Sequence, residues 1–275
     1  REARDKTPGT LTAVAGRFEV LTIDRRDLTD DDDVEGVRRA VDAWLAFGGL
    51  GGRTRRGFGA VAADTVRDPA EELARLSAGL QNRAGVTSLA GARLVTHPKS
   101  DATALSALDR GLGRLKAFRQ GPGIGRNPGT DDPRRPGRSR WPEADEIRRI
   151  TGQADRKHRT PLTTTRAFPR AAFGLPIIFH FKDFGDPSDT TLKPRGTERM
   201  ASPLIIRPYA RDEGFGSFAL RLSAPMPTPI ELGNSAADNV PTAITDAEAR
   251  SDLMRTALDG NSDVLGAFLK FFAGD

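Results

Sequence analysis

The sequence predicts an α+β fold of small antiparallel sheets with helices on one face. Three observations predict it. Short β-rich segments interleave with apolar stripes at helical spacing. The strand segments are too few for a large parallel sheet. With 275 residues, 37% of them hydrophobic, the chain can bury one large core or two small ones, and two domains are expected.

Phe18-Glu-Val-Leu-Thr-Ile23 is the first predicted strand. Asp30–Asp33 follow, then Val34, Val37, Val41, Trp44 and Leu45 on one helical face. Acidic residues at a helix start complement the positive end of its dipole. That reading is preferred to a divalent-cation site, because consecutive aspartates splay apart. Ala60-Val-Ala-Ala63 is a second strand. Pro69 opens another helix, with Glu71 and Glu72 in its first turn and Leu73, Leu76 and Leu80 below. Leu105, Leu108, Leu112 and Leu115 mark a further helix, weakened by Gly111 and Gly113.

Between Arg110 and Arg140 the composition shifts. Nine Lys/Arg stand against Asp131 and Asp132, among four prolines and many glycines. Such a segment reads as a loop or flexible connector, either a solvated linker or a cationic element that orders on RNA. Order resumes at Trp141-Pro142-Glu143 with a helix to about Ile150. Phe168–Phe181 ends in a strand that places Ile177, Phe179 and Phe181 on one face and Ile178 and His180 on the other. Met200–Ile206 and Phe218–Leu222 are two more strands. The stretch from Thr245 to Phe272 reads as helix, broken at Asp259-Gly260.

The net charge of +5 is moderate, so clustering matters more than the total. Cysteine is missing, which excludes a disulfide scaffold and thiolate metal sites and fits a cytoplasmic setting. No apolar run approaches the ~20 residues that span a bilayer, so a membrane partner is not expected. Arg1 rather than methionine opens the sequence, and the natural N-terminus is expected to lie upstream.

The densest chemistry lies in Gly48-Gly-Leu-Gly-Gly-Arg-Thr-Arg-Arg-Gly-Phe-Gly59, with six glycines and three arginines in twelve residues. Glycine lets backbone N–H groups approach a ligand, and arginine forks match phosphate oxygens. A P-loop is excluded, because Phe58 and Gly59 stand where Lys and Ser/Thr are required. Gly121-Pro-Gly-Ile-Gly125 lacks the third glycine of a dinucleotide motif. Phosphate binding without nucleotide chemistry is the favoured reading of the first loop, over a plain helix-to-strand connection. Phe58 either stacks on a base or anchors the loop in the core, with the core role favoured. His97, His158 and His180 have no local catalytic or metal-ligand pattern, so no catalytic residue, metal or other cofactor is expected.

Trp44–Gly59 resembles the glycine-rich loop of RAMP proteins, the RRM-related subunits of CRISPR effectors. Ser139-Arg-Trp-Pro-Glu143, Phe168-Pro-Arg-Ala-Ala-Phe-Gly-Leu-Pro-Ile177 and Arg199-Met-Ala-Ser-Pro-Leu-Ile-Ile206, in this order, are similar to the first-numbered subunit family of the type III-B (Cmr) complex. The resemblance spans roughly Phe18 to Leu222. That family opens with a Gly-rich strand and an Arg-bearing helix, and no equivalent precedes Phe18. A fragment, a split subunit or part of a fusion is therefore expected.

The resemblance implies two ferredoxin-like (RRM-related) modules, the first incomplete. They would occupy residues 1–110 and 141–275, joined by a basic linker over 111–140. It also implies a non-catalytic antiviral role near the 3′ end of a guide RNA, with target RNA and other RAMP subunits as partners. By position, Gly49, Gly51, Gly52, Arg53, Thr54, Arg55, Arg56, Gly57 and Phe58 would line the RNA path. Arg138, Arg140 and Trp141 would assist from the linker, and Arg170 from the Phe168 motif. The rivals are a metal-independent RAMP endoribonuclease using His158 or His180 on guide precursors, and an architectural module that binds only protein.

Overall fold

A computed structural model describes residues 30–62, 68–129, 137–233 and 237–274. The chain divides into two compact units, Arg1–Ala40 and Val41–Asp275. In the first, the described residues open helix α1 (Asp31–Phe47), whose first turn is acidic as expected. Asp30 caps it, its carboxylate accepting from Asp33 N at 2.7 Å. The predicted strand Phe18–Ile23 lies outside the described residues.

Two three-stranded antiparallel sheets organise the second unit. The first comprises β1 (Ser88–Thr96), β4 (Leu204–Ala210) and β5 (Phe215–Ser223), in the order β1-β5-β4. Leu94 pairs with Leu220, and Ile206 with Ala219. The smaller sheet has the order β2-β3-β6, from Ile177–Phe179, Thr190–Pro194 and Ile230–Leu232. This is an α+β arrangement of small antiparallel sheets.

Helices cover both faces of the first sheet, where one face was expected. Leu204, Ile206 and Ala219 pack with Leu115 and Phe118 of α3 (Ala104–Gln120) and with Phe268 and Phe272 of α7 (Val264–Ala273). On the opposite face Ile205, Phe218 and Leu220 meet Ala46 and Phe47 at the end of α1, and Leu73 and Leu76 of α2 (Pro69–Ser77). The sequence carries the reason. Leu204-Ile-Ile206 and Phe218-Ala-Leu220 are continuous apolar runs, and strands buried on both faces do not alternate.

Residues 111–140 are not a linker throughout. The last ten residues of α3 fall inside them, with Gly111, Leu115 and Phe118 buried. Gly111 sits so close to Ile206 and Ser217 that a Cβ would lie 2.8 Å from Ile206 Cγ2. Phe118 is fully buried, with ring centroids of Trp141, Phe173, Phe268 and Phe271 at 5.4–6.0 Å. Contacts of that kind add about 0.5–1.5 kcal/mol each beyond burial. Lys and Arg counts hid a core helix here, because Gly111, Leu115 and Phe118 form its buried face while Arg114 and Arg119 lie between that face and its exposed Lys116 side.

The boundaries drawn from sequence also cut a sheet. β1 lies before residue 110, and its partner β5 lies after 141. Two strands of the second sheet, β2 and β3, lie between α3 and β4 in the chain, and its third, β6, follows β5. This sheet has its own core of Phe168, Phe179, Leu192, Ile230 and Leu232, with Ile147 from α4 (Glu143–Thr151). Residues 60–62 form no strand, and Leu80 is exposed. The C-terminal helical stretch is three helices, α5 (Asp246–Ala249), α6 (Arg255–Leu258) and α7. The expected break is seen at Asp259-Gly260, both with positive φ. Among the described residues no helix is long and apolar enough to cross a membrane.

Candidate nucleic-acid interface

The Gly48–Gly59 loop leaves α1 and closes on itself. Leu50 N donates to Gly59 O at 2.8 Å, and Trp44 Nε1 to Gly49 O at 3.3 Å. Thr54–Arg56 form a 3₁₀ turn between two left-handed residues, Arg53 (φ 60°) and Gly57 (φ 76°). Four glycines are demanded by the fold, Gly48, Gly49, Gly57 and Gly59, the last two also at positive φ. A Cβ on Gly57 would meet Leu108 Cδ1 at 2.5 Å and Ile206 O at 2.8 Å, and one on Gly59 would meet Leu50 O at 1.8 Å. Gly52 is different. It has ordinary φ, and nothing lies within 4 Å of a Cβ built there.

The three loop arginines divide. Arg55 donates to Ser202 O; Arg56 donates to Leu204 O at 3.0 Å and to Ser202 Oγ at 3.4 Å. Burial lowers the pKa of both, and Arg55 lowers that of Arg56 further. Both therefore fasten the loop to the Ser202–Leu204 segment. Arg53 is exposed, and its side chain makes no hydrogen bond or ion pair among the described residues. Phe58 is 44% exposed, so it does not anchor the loop in the core; Leu50 beside it is similarly exposed.

Sequence reasoning missed the residue that locks the root. Arg207 on β4 is buried, and it donates to Gly48 O at 2.9 Å and to Val61 O, one carbonyl on each side of the loop. Desolvation brings its pKa down to about 10. The available signal was an arginine inside the apolar run Leu204–Tyr209: a charge in a strand buried on both faces needs fixed acceptors.

The residues expected to assist from outside the loop hold the fold instead. Trp141 is 2% exposed and donates through Nε1 to Arg119 O at 3.1 Å, so its ring cannot receive a base. Arg140 donates to the carbonyls of Gly123, Asp252 and Leu253 at 2.7–2.8 Å. Arg138 pairs with Asp145 at 2.7 Å. Arg170 is buried, with Nε 3.1 Å from Glu143 Oε2.

A family model takes in this loop. The match is to the RAMP superfamily, over residues 4–62. The matched RAMP segment contains α1 and the whole Gly48–Gly59 loop. It also takes in the stretch ahead of Phe18 for which the motif comparison finds no equivalent. No curated protein and no solved structure matches the chain.

Other chemistry is sparse among the described residues. His158, Asp183 and Asp186 bring their ligand atoms within 4.8 Å of one another. Arg148 already occupies both oxygens of Asp186, at 2.9 and 2.8 Å, where a cation would sit. Burial would raise the Asp186 pKa, but Arg148, Asp155 N and the His158 charge together hold it at about 2. His180 Nδ1 lies 2.6 Å from Asp189 Oδ2, and both side chains are exposed. His97 is buried beside Phe272. Its pKa is lowered by desolvation and then by Arg110, Arg114 and Lys99, with Asp101 opposing.

Proposed function

We propose that this chain is a non-catalytic RNA-binding subunit of a type III CRISPR ribonucleoprotein, gripping RNA through the tip of its glycine loop. The observation that carries the reading is the division within the loop, inside the RAMP-matched segment. The root is fixed by Arg55, Arg56 and Arg207, while Gly51, Gly52, Arg53 and Phe58 face outward. Open backbone and a guanidinium suit phosphates, and an exposed ring suits a base. Neither selects a sequence, which agrees with guide–target pairing carrying the information.

The finer reading is the first-numbered Cmr subunit, near the 3′ end of the guide and helping to capture target RNA for antiviral defence. It brings two ferredoxin-like modules. The connectivity β1–α3–β4–β5–α7, with strand order β1-β5-β4, supports one of them, since it is that fold short of its last strand.

The test is the salt dependence of RNA affinity for Arg53→Ala. Losing one phosphate contact weakens binding at every sequence and flattens the log–log salt slope by about one. An unchanged affinity and slope would sink the loop assignment. The exposed His180–Asp189 pair gives the endoribonuclease rival a supporting geometry, whereas His158, 2.8 Å from Asp186, is tied into the Arg148 ion pair. Discrete cleavage of labelled repeat RNA in EDTA, lost in His180→Ala, would favour that rival.

A further inference from the structure

Arg119, at the C-terminal end of α3, is the least compensated charge among the described residues. Its Nε is buried with no hydrogen-bond partner, and the side chain makes no hydrogen bond or ion pair with a described residue. The guanidinium lies over the Phe173 ring, with Cζ 5.6 Å from the centroid. Its charged neighbours are Arg170 and Arg56, which repel it, and Glu143, which attracts it. Desolvation leads, and with that repulsion it brings the Arg119 pKa down to about 10.

The surrounding arginines do not relieve this. Burial and then Arg170 lower the Arg126 pKa, and among the described residues its guanidinium bonds Gly137 O at 3.2 Å. Arg56 has neutral acceptors only. Glu143 is fully buried and pairs with Arg170, yet Glu143 Oε2 and Arg170 Nε are themselves without a hydrogen bond. Of the four guanidiniums, Arg170 and Arg119 have Glu143 as a neighbour, while Arg126 and Arg56 have neutral acceptors only among the described residues. Burying like charges without compensation costs several kcal/mol per ion, so such a cluster is stable when an anion joins it.

We propose that Arg119 and Arg126, with Arg170 and Arg56 behind them, form an oxyanion site that takes a phosphoryl group. Arg119 ends α3 with its guanidinium over Phe173 of the 3₁₀ turn Pro169–Phe173, and the turn that carries Arg126 backs onto it, a Cβ on Gly125 falling 2.4 Å from Arg119 C. The fork geometry of guanidinium matches phosphate better than it matches a halide. The site deepens the RNA reading and rests on it only for the polymer that brings the phosphate. The source is either an internal phosphodiester or a terminal phosphate.

The experiment uses the whole chain and three probes: inorganic phosphate, and one RNA oligonucleotide carrying either a 3′-phosphate or a 3′-hydroxyl. The variant is Arg119→Met, which keeps the apolar stem over Phe173 and removes the charge. Arg126→Met serves if that protein does not fold. Phosphate is expected to raise the wild-type melting temperature saturably above sodium chloride of matched ionic strength. Arg119→Met is expected to melt higher than wild type without phosphate and to lose at least tenfold in phosphate affinity. A wild-type protein indifferent to phosphate, or a variant that responds equally, overturns the site. Preference for the 3′-phosphate oligonucleotide assigns a terminal phosphate. Equal binding of both, weakened about tenfold by Arg119→Met, assigns an internal one. RNA binding that ignores Arg119 overturns the RNA source while the anion site stands. The loop reading fails separately, if Arg53→Ala leaves RNA affinity and salt slope unchanged while the Arg119-dependent phosphate response of the wild type stands.

Discussion

At the root of the glycine loop, arginine faces backbone carbonyls; at its tip, arginine faces solvent. Arg56 and Arg207 hold acceptors at 2.9–3.0 Å and are desolvated, whereas Arg53 one turn away is exposed. Glycine divides the same way. Gly57 and Gly59 are forced by neighbours closer than 3 Å, while Gly52 has no neighbour that forbids a side chain. The difference teaches that residue type alone does not mark a ligand contact. A motif rich in Gly and Arg combines a clamp with a surface, and only the part the fold does not require is free to be explained by a ligand.

The largest expected effect tests the clamp. Gly57→Ala puts a Cβ 2.5 Å from Leu108 Cδ1 at a left-handed backbone position. Strain and overpacking together should cost about 2–5 kcal/mol in a denaturant titration. Gly52→Ala is its control, expected within about 0.5 kcal/mol of wild type yet weaker for RNA. If both variants lose equal stability, the division between root and tip fails.

Arg207→Met comes next. It strips the Gly48 and Val61 carbonyls of a charged donor, and the loss expected is about 2–3 kcal/mol. Hydrogen exchange at the Leu50 amide should rise with it, since its bond to Gly59 O depends on the held ends. Arg53→Ala should leave the melting temperature unmoved and change only RNA affinity and its salt slope. The smallest effect lies in the frame. His97 has a depressed pKa, so the folded state favours its neutral form. Its contribution is whole above the unfolded value of about 6.5 and is lost as pH falls from there toward the folded one. A His97→Gln variant should show a flatter stability profile between pH 7 and 5.

The helices were legible, because apolar spacing reports them directly. α1, α2 and α3 lie where Trp44, Leu73 and Leu108 place them, and α4 begins at Trp141-Pro142-Glu143 as expected. β1, β3 and β6 were not legible. β1 has Gly91 at φ 72° and a register irregularity between Ser88 and Arg93, which breaks alternation; the other two are three to five residues long. Of the site, the loop was legible from its composition. What each arginine does was not, since Arg140, Arg170 and Arg207 find their acceptors on segments distant in sequence.

The long stretch of chain between α3 and β4, which carries β2 and β3 of the smaller sheet, has a consequence for synthesis on the ribosome. β1 ends at Thr96, and its partner β5 is complete only at Ser223. At about 5–20 residues per second, the newly made strand waits on the order of ten seconds for its edge to be covered. During that interval Leu89, Leu94 and the Phe118 face of α3 lack the strand that buries them, a condition that favours chaperone capture. Ribosome-bound chains stalled before residue 204 should be cut by protease near β1, and chains stalled well past 223 should resist. Equal resistance at both lengths would show that the first half of the chain protects itself.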